Sequence, residues 1–350
     1  MNKKLRYKTQ YYPYITNYEY ENHSQTGESY SLAQLGSLDE LYDRLAKYDI
    51  DDLPLDLPAA KFAVTYFTSM VGKCFVVPLE DAFDKMDKTK SIGHGATTRG
   101  IFSREDPRIV DYLNDYRNAS ISQCHFVIIS ASQKDEVRVV GKTPRLFASF
   151  PPEHTFLCTH ILGDFVRHFV EHRVTTDQSI SSVGDAPQNG ALVYYKYLLD
   201  KFPYKYCTDT SGQDSSVSAE FLHLVYDEIA KLYDFTEEEN QLFECIRFNS
   251  INKLINVNGD LFIVPRGLGS GDYLTIVINI MWRFYMIVEN YKYDVSDILR
   301  DNRIIICGDD LVMSSKHKDL DLSSKYAVIE WAHKPVEWKD MDFCSLRFEP

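Results

Sequence analysis

Arg303-Ile304-Ile305-Ile306-Cys307-Gly308-Asp309-Asp310-Leu311-Val312-Met313-Ser314 decides how this sequence is read. Two apolar runs flank a Gly-Asp-Asp turn, which is the pattern of a β-hairpin. Gly308 lets the backbone turn without a Cβ clash. Two adjacent carboxylates at so apolar a tip are costly to keep charged unless something neutralises them, and a divalent cation does so. Three residues carry a weak signal by themselves, and a solvent-exposed turn is the alternative.

Working outward, Tyr204 to Thr208 reads as a short strand that delivers Asp209, with Asp214 five residues on. If this strand lies beside the hairpin, Asp209 and Asp309 converge, and with Asp310 they could hold two Mg²⁺ ions. The alternative for Asp214 is the N-cap of an amphipathic helix over 216–233. Gly269-Ser270-Gly271-Asp272 leads as a loop into an apolar helix, where Thr275 and Asn279, four apart, share a face. Ser270, Thr275 and Asn279 then present polar groups along one edge. A satisfied buried amide is the alternative for Asn279, and helix capping for Ser270 and Gly271. Lys134, Arg138, Lys142 and Arg145 place four cations within twelve residues, which suits a triphosphate. A charged exposed hairpin is the alternative there.

The remaining pattern predicts an acidic periphery over residues 1–60 with a short helix near 38–47, and a helix from Pro58. A buried strand is expected at His125–Ser130 and a helix from Thr155 to His172. Thr236 and Glu239 form a capping-box pattern, and Asn258-Gly259 signals a hairpin. A helix from about Asp272, another near Leu322–Trp331, and short strands around Pro335–Trp338 and Phe343–Phe348 complete the expectation. This order suits an α+β architecture with helices under an antiparallel sheet.

The chain has 350 residues, 44% of them hydrophobic and 25% charged, so a normal core forms and wholesale disorder is excluded. A net charge of −13 excludes a general polyanion binder; any nucleic acid must meet locally basic grooves. The seven cysteines contain no C-x-x-C pair, which predicts neither a disulfide scaffold nor a structural zinc motif, and favours a reducing compartment. No apolar run follows the basic Met1–Arg6 segment, so no signal peptide is expected. The Tyr273–Val288 stretch is too short to span a bilayer.

In this order the motifs resemble the RNA-dependent RNA polymerases of positive-strand RNA viruses, within the picornavirus-like supergroup. Lys134-Asp135-Glu136-Val137-Arg138 with Lys142-Thr143-Pro144-Arg145 is similar to motif F, Asp209 to Asp214 to motif A, and Ser270-Gly271 with Thr275 and Asn279 to motif B. Gly308-Asp309-Asp310 is similar to motif C, and Asp342-Phe343-Cys344-Ser345-Leu346-Arg347-Phe348 resembles motif E of sobemovirus- or astrovirus-like enzymes. The resemblance covers roughly residues 120–350. It departs at Pro144, inside the usual Lys-x-Arg spacing, and at Cys307, where an aromatic is common. The sequence also stops at Pro350, where the family continues into a helical thumb.

The resemblance implies a right-hand polymerase of the α+β class: an antiparallel palm sheet backed by helices, a mixed fingers region, and no thumb within this sequence. Residues 1–200 would form an N-terminal extension and fingers, and 201–350 the palm, with a fingers insertion near 235–268. It implies template-directed RNA synthesis for viral genome replication. Asp209, Asp309 and Asp310 would ligate two Mg²⁺ ions, with Mn²⁺ as a substitute. Lys134, Arg138, Lys142 and Arg145 would neutralise the triphosphate. Asp214, Ser270, Gly271, Thr275 and Asn279 would read the ribose 2′-OH. Lys339, or failing it Lys334, would protonate pyrophosphate. Implied partners are template and nascent RNA, ribonucleoside triphosphates and other viral replication proteins, in the host cytoplasm and without an intrinsic membrane segment. Two readings compete: a reverse transcriptase, against which Asp214 argues because a bulky side chain is expected there, and an inactive palm fragment that only binds RNA or a partner.

Overall fold

The computed structural model describes residues 30–31, 38–89, 92–134, 138–139, 145–172, 180–183, 191–344 and 346–348. Its strands are β1 (Tyr30–Ser31), β2 (Ile128–Gln133), β3 (Arg138–Val139), β4 (Leu146–Ser149), β5 (Tyr204–Ser211) and β6 (Lys253–Val257). They continue as β7 (Asp260–Val264), β8 (Asn302–Cys307), β9 (Asp310–Ser315), β10 (Val328–Glu330), β11 (Asp342–Phe343) and β12 (Leu346–Arg347). The longer helices are α1 (Leu38–Ala46), α2 (Leu57–Val71), α3 (Arg108–Ser122) and α4 (Pro152–Glu171). They are followed by α5 (Ala191–Leu199), α6 (Ala219–Ala230), α7 (Glu237–Ile251) and α8 (Thr275–Glu289).

Alternation of side chains along the strands builds the core on both faces of one sheet. That sheet runs β10-β5-β9-β8 and is antiparallel throughout. Tyr206, Ile304, Ile306, Leu311 and Met313 enter the large core, shared with α2, α6 and α8. Their neighbours Cys207, Ile305 and Val312 turn to the other face, against Tyr195 and Leu199 of α5 and Met341 and Phe343. The α8 helix is buried from Val277 to Val288, the behaviour of a helix that is apolar almost all round. A second sheet, β4-β2-β6-β7, is mixed: β2 and β6 pair in parallel, the rest antiparallel.

Local chemistry sets the boundaries. Asn258 (φ 55°) and Gly259 (φ 107°) turn the β6–β7 hairpin in the left-handed region. The capping box is formed: Thr236 caps Glu239 N and the Glu239 carboxylate accepts from Thr236 N. Ser218, and not Asp214, caps α6, accepting from Phe221 N at 3.1 Å.

Three expectations are corrected. No helix covers Leu322–Trp331; Val328–Glu330 is instead strand β10, paired with Ser211 to Asp209. Polar side chains compete for the backbone there: Asp321 accepts from Ser323 N and Ser324 from Tyr326 N, which favours turns over a helix. Pro335–Trp338 forms no strand; Val336 makes an isolated bridge to Lys205, and Trp338–Asp340 is a 3₁₀ turn. Pro335 has no N–H to give a ladder. Finally, the described residues before 60 are not merely peripheral. Tyr48 Oη donates to Leu268 O, Arg266 pairs with Asp52, and Tyr30–Ser31 pairs with Arg138–Val139. No helix among the described residues is long and apolar enough to cross a membrane.

Candidate active site

Strand register brings the acidic residues together. Thr208 pairs with Leu311 and Cys307 with Asp310. One step further along the first ladder, Asp209 stands across from Asp310, while β10 sets Glu330 on its other side. Gly308, at φ 64°, and Asp309 form the tip between β8 and β9. A pocket of ≈ 430 Å³ opens at this end of the sheet, lined among others by Asp209, Asp310, Trp331, Lys339, Asp340 and Asp342.

The charges feel one another. Burial, then Asp309, Asp209 and Asp342, push the Asp310 carboxyl up to about 6. Burial and the charge of Asp209 raise Asp309, while Arg145 and Lys134 oppose the rise. Burial also raises Asp214, and its hydrogen bond from Asn279 acts in the opposite sense. The cations of the basic loop are thus within electrostatic reach of the carboxylates. Lys134 N donates to Arg145 O at 2.8 Å, which holds the two ends of that loop together. Lys142 lies outside the described residues, as does the side chain of Arg138, whose backbone lies in β3.

The loop before α8 is clamped from every side. Leu268 N donates to Asp214 O at 2.7 Å, and Lys253 Nζ to Gly267 O at 2.8 Å. Ala148 N of β4 donates to Ser270 Oγ at 3.1 Å, and a Cβ on Gly271 would meet Ala148 O at 2.4 Å, so only glycine fits. Thr275 Oγ1 donates to Gly269 O at 2.6 Å. Asn279 Nδ2 donates to Asp214 Oδ1 at 2.7 Å. The expected Asp214–Ser270–Asn279 set is therefore two parts: Asp214 and Asn279 bond directly, whereas Ser270 is tied to β4.

Two residues escaped the sequence reading. Gln213, 3% exposed, sends Nε2 to Asn279 O, Asn279 Oδ1 and Gly308 O at 3.0–3.1 Å, and so links the three motifs. Nothing in its sequence context marks it beyond adjacency to Asp214. Arg283 is fully buried and donates to Thr208 Oγ1. Burial draws its pKa down to about 10, against the pull of Asp209 and Asp309. It continues the Thr275–Asn279 spacing by four more residues, a signal that was present in the sequence.

An antiparallel sheet with acidic strand ends, a helix beneath and a clamped Ser-Gly loop defines a nucleotide polymerase of the right-hand class. The chain belongs to the viral RNA-dependent RNA polymerase family, whose model matches residues 17–329. Among solved structures it is similar to a Sicinivirus 3Dpol RNA-dependent RNA polymerase, at a TM-score of 0.66 and 16% identity. That match covers 89% of this chain and 69% of the other. No curated protein matches the sequence.

Proposed function

We propose that this enzyme joins ribonucleoside triphosphates to an RNA 3′-OH on an RNA template, with release of pyrophosphate, at the site around Asp209, Asp309 and Asp310. The carrying observation is the register that sets Asp209 across from Asp310, beside Asp309 at the hairpin tip. The donor set fits a hard divalent cation: it is all carboxylate oxygen, and burial, with like charge beside it, raises Asp309 and Asp310. The three carboxylates do not all bring an oxygen within 4.8 Å of one another, so holding a shared ion takes side-chain movement. Mg²⁺ held there, with Mn²⁺ as a substitute, would make the 3′-OH more acidic and offset triphosphate charge.

The side chains divide the remaining work. Lys134 and Arg145, with Arg138 and Lys142, neutralise the triphosphate. Asp214 and Asn279 recognise the ribose 2′-OH, a group that both donates and accepts. Ser270, Gly271 and Thr275 hold the loop that lies over this pair. Lys339, in the pocket with Asp209 and Asp310, delivers a proton to the leaving pyrophosphate. Residues 1–200 serve as N-terminal extension and fingers, and 201–350 as palm with an insertion near 235–268. RNA and ribonucleotides are the ligands, alongside other viral replication proteins at replication complexes in the host cytoplasm.

Extension of primed RNA tests this reading, with ribo- and deoxynucleotides and with RNA and DNA templates in parallel. Asp309→Ala is expected to lower synthesis by at least about a hundredfold with the fold retained. Persistent incorporation by a folded Asp309→Ala chain excludes the site. Magnesium-independent RNA retention with no extension by the unaltered chain favours a binding module instead.

A further inference from the structure

Among the described residues, one group of three metal-capable side chains lies outside the polymerase site: Cys74, Asp164 and His168, with ligand atoms all within 4.8 Å of one another. The fold brings them together from distant positions. The α2 helix ends on Gly72 at φ 74°, and the chain turns so that Cys74 N donates to Leu232 O. The next amide, Phe75 N, donates to Asp164 Oδ2 at 3.0 Å, which draws the turn onto α4. Asp164 and His168 are one helical turn apart on α4 and so share a face. Cys74 is 1% exposed; the Asp164 and His168 side chains are 12% and 22% exposed, leaving an entry from solvent.

The cluster is polar, crowded and incompletely satisfied. Arg167 Nη2 lies 2.7 Å from His168 Nε2, so that nitrogen accepts and the ring proton sits on Nδ1. Nδ1 is buried and has no hydrogen-bond partner. An orphaned buried ring N–H costs free energy, and the nitrogen that faces Asp164 is Nε2, 4.0 Å from Oδ1, which becomes free to ligate once Arg167 leaves it. The Cys74 thiol finds only Gly72 O at 3.6 Å and Tyr233. Burial and the Asp164 charge push it up to about 11, a direction that a bound divalent cation reverses.

The geometry points to a site for a borderline-soft divalent cation, zinc in class, held by the Cys74 thiolate, the Asp164 carboxylate and the His168 imidazole, with water in the fourth position. A thiolate with an imidazole selects such an ion over Mg²⁺, which the oxygen-only cluster near Asp309 suits. Tetrahedral zinc sets ligand atoms roughly 3.5 Å apart, so closing the cluster takes side-chain shifts of about 1 Å. Arg167 is the competitor. It donates to Asp164 Oδ1 at 3.1 and 2.6 Å, but its side chain is 52% exposed and also bonds Glu171 at 3.0 Å. It can leave for Glu171 as the cation enters. The bound ion staples the turn after α2 to α4. Because α2 packs on α8, which carries Thr275 and Asn279, the staple braces the helices beneath the polymerase site.

Titration of the purified full chain with Co²⁺ tests this, since a cobalt–thiolate bond gives a near-ultraviolet charge-transfer band. The band is expected to saturate near one equivalent and to be displaced by Zn²⁺, which also raises the thermal midpoint. Cys74→Ser abolishes the band, and His168→Gln, at a partly exposed position, weakens Zn²⁺ binding about tenfold or more. Arg167→Ala tightens binding, and Asp309→Ala leaves it unchanged. Absence of a thiolate band in the unaltered chain overturns the proposal, as does a band or thermal shift that survives in both Cys74→Ser and His168→Gln.

Discussion

Asp310 holds its charge at a cost. Its carboxyl titrates at about 6 in the fold, against an unfolded value near 4. The folded chain therefore binds this proton more tightly than the unfolded chain. The penalty is fully present above about pH 6 and gone below the unfolded value. Acidification from about pH 7 to 5 is expected to raise the thermal midpoint of the cation-free chain through this group. Asp310→Asn shows a smaller rise; identical responses in scanning calorimetry would remove Asp310 as the source. Mg²⁺ acts in the opposite sense, since protons compete for the same oxygens, and its stabilisation fades below about pH 6. The 2′-OH role proposed for Asn279 rests on its bond to Asp214, which the alanine variant loses. Asn279→Ala is expected to narrow the preference for ribonucleotides by about tenfold, the size of one hydrogen bond of about 1.4 kcal/mol. Equal losses in kcat/KM with ribo- and deoxynucleotides refute that role.

Elements meet at this site through few side chains. The one-turn helix Gln213–Ser216, the α8 helix and the β8–β9 tip are joined by the Gln213 amide. Gln213→Leu fits the volume but strands Gly308 O and Asn279 Oδ1 without a donor. It is expected to cost about 2 kcal/mol in urea unfolding and to lower kcat more than it raises KM. A loss of stability with unchanged kcat would restrict Gln213 to packing. Trp282 Nε1 donates to Ser216 Oγ at 2.9 Å and fixes the same turn from below. The β-hairpins were legible in the sequence because Asn258-Gly259 and Gly308 satisfy local backbone demands. The segment over 321–330 was not legible. Its apolar spacing fits a helix, but Leu322 and Tyr326 reach the core from a turn, and Tyr326 bonds Tyr285 and Pro54 O. Tertiary contacts overrode the periodicity there.

At the scale of the whole molecule, residues 42–52 tie the β6–β7 hairpin and the loop before α8 to the N-terminal part of the chain. Tyr48 bonds Leu268 O, Tyr42 bonds Asp260, and Arg266 meets both Asp52 and Ile50 O. An acidic stretch that looks like a solvated face therefore reaches the loop over Asp214. Tyr48→Phe keeps the ring against Gly267 and deletes one hydrogen bond. It is expected to raise the KM for ribonucleotides several-fold and to lower stability by about 1 kcal/mol. Steady-state kinetics with unchanged KM would confine this contact to folding. With a net charge of −13, the proposed phosphate-facing role falls to Lys134 and Arg145, whose charges reach Asp309, and to their neighbours.

The sequence by itself determined the hairpin tip, the apolar helix and the order of motifs, because turn chemistry and periodicity are local properties of the chain. It also placed Asp209, Asp214, Asn279 and Asp309 in candidate roles through their spacing and resemblance. Only the tertiary structure decided which of them touch: strand register set Asp209 across from Asp310, and helix packing sent Asn279 to Asp214 while Ser270 went to β4. The same holds for Gln213, for Arg283 and for the Cys74–Asp164–His168 cluster. Their partners lie tens to about a hundred positions away, and contact over such separations is fixed by packing of the whole core.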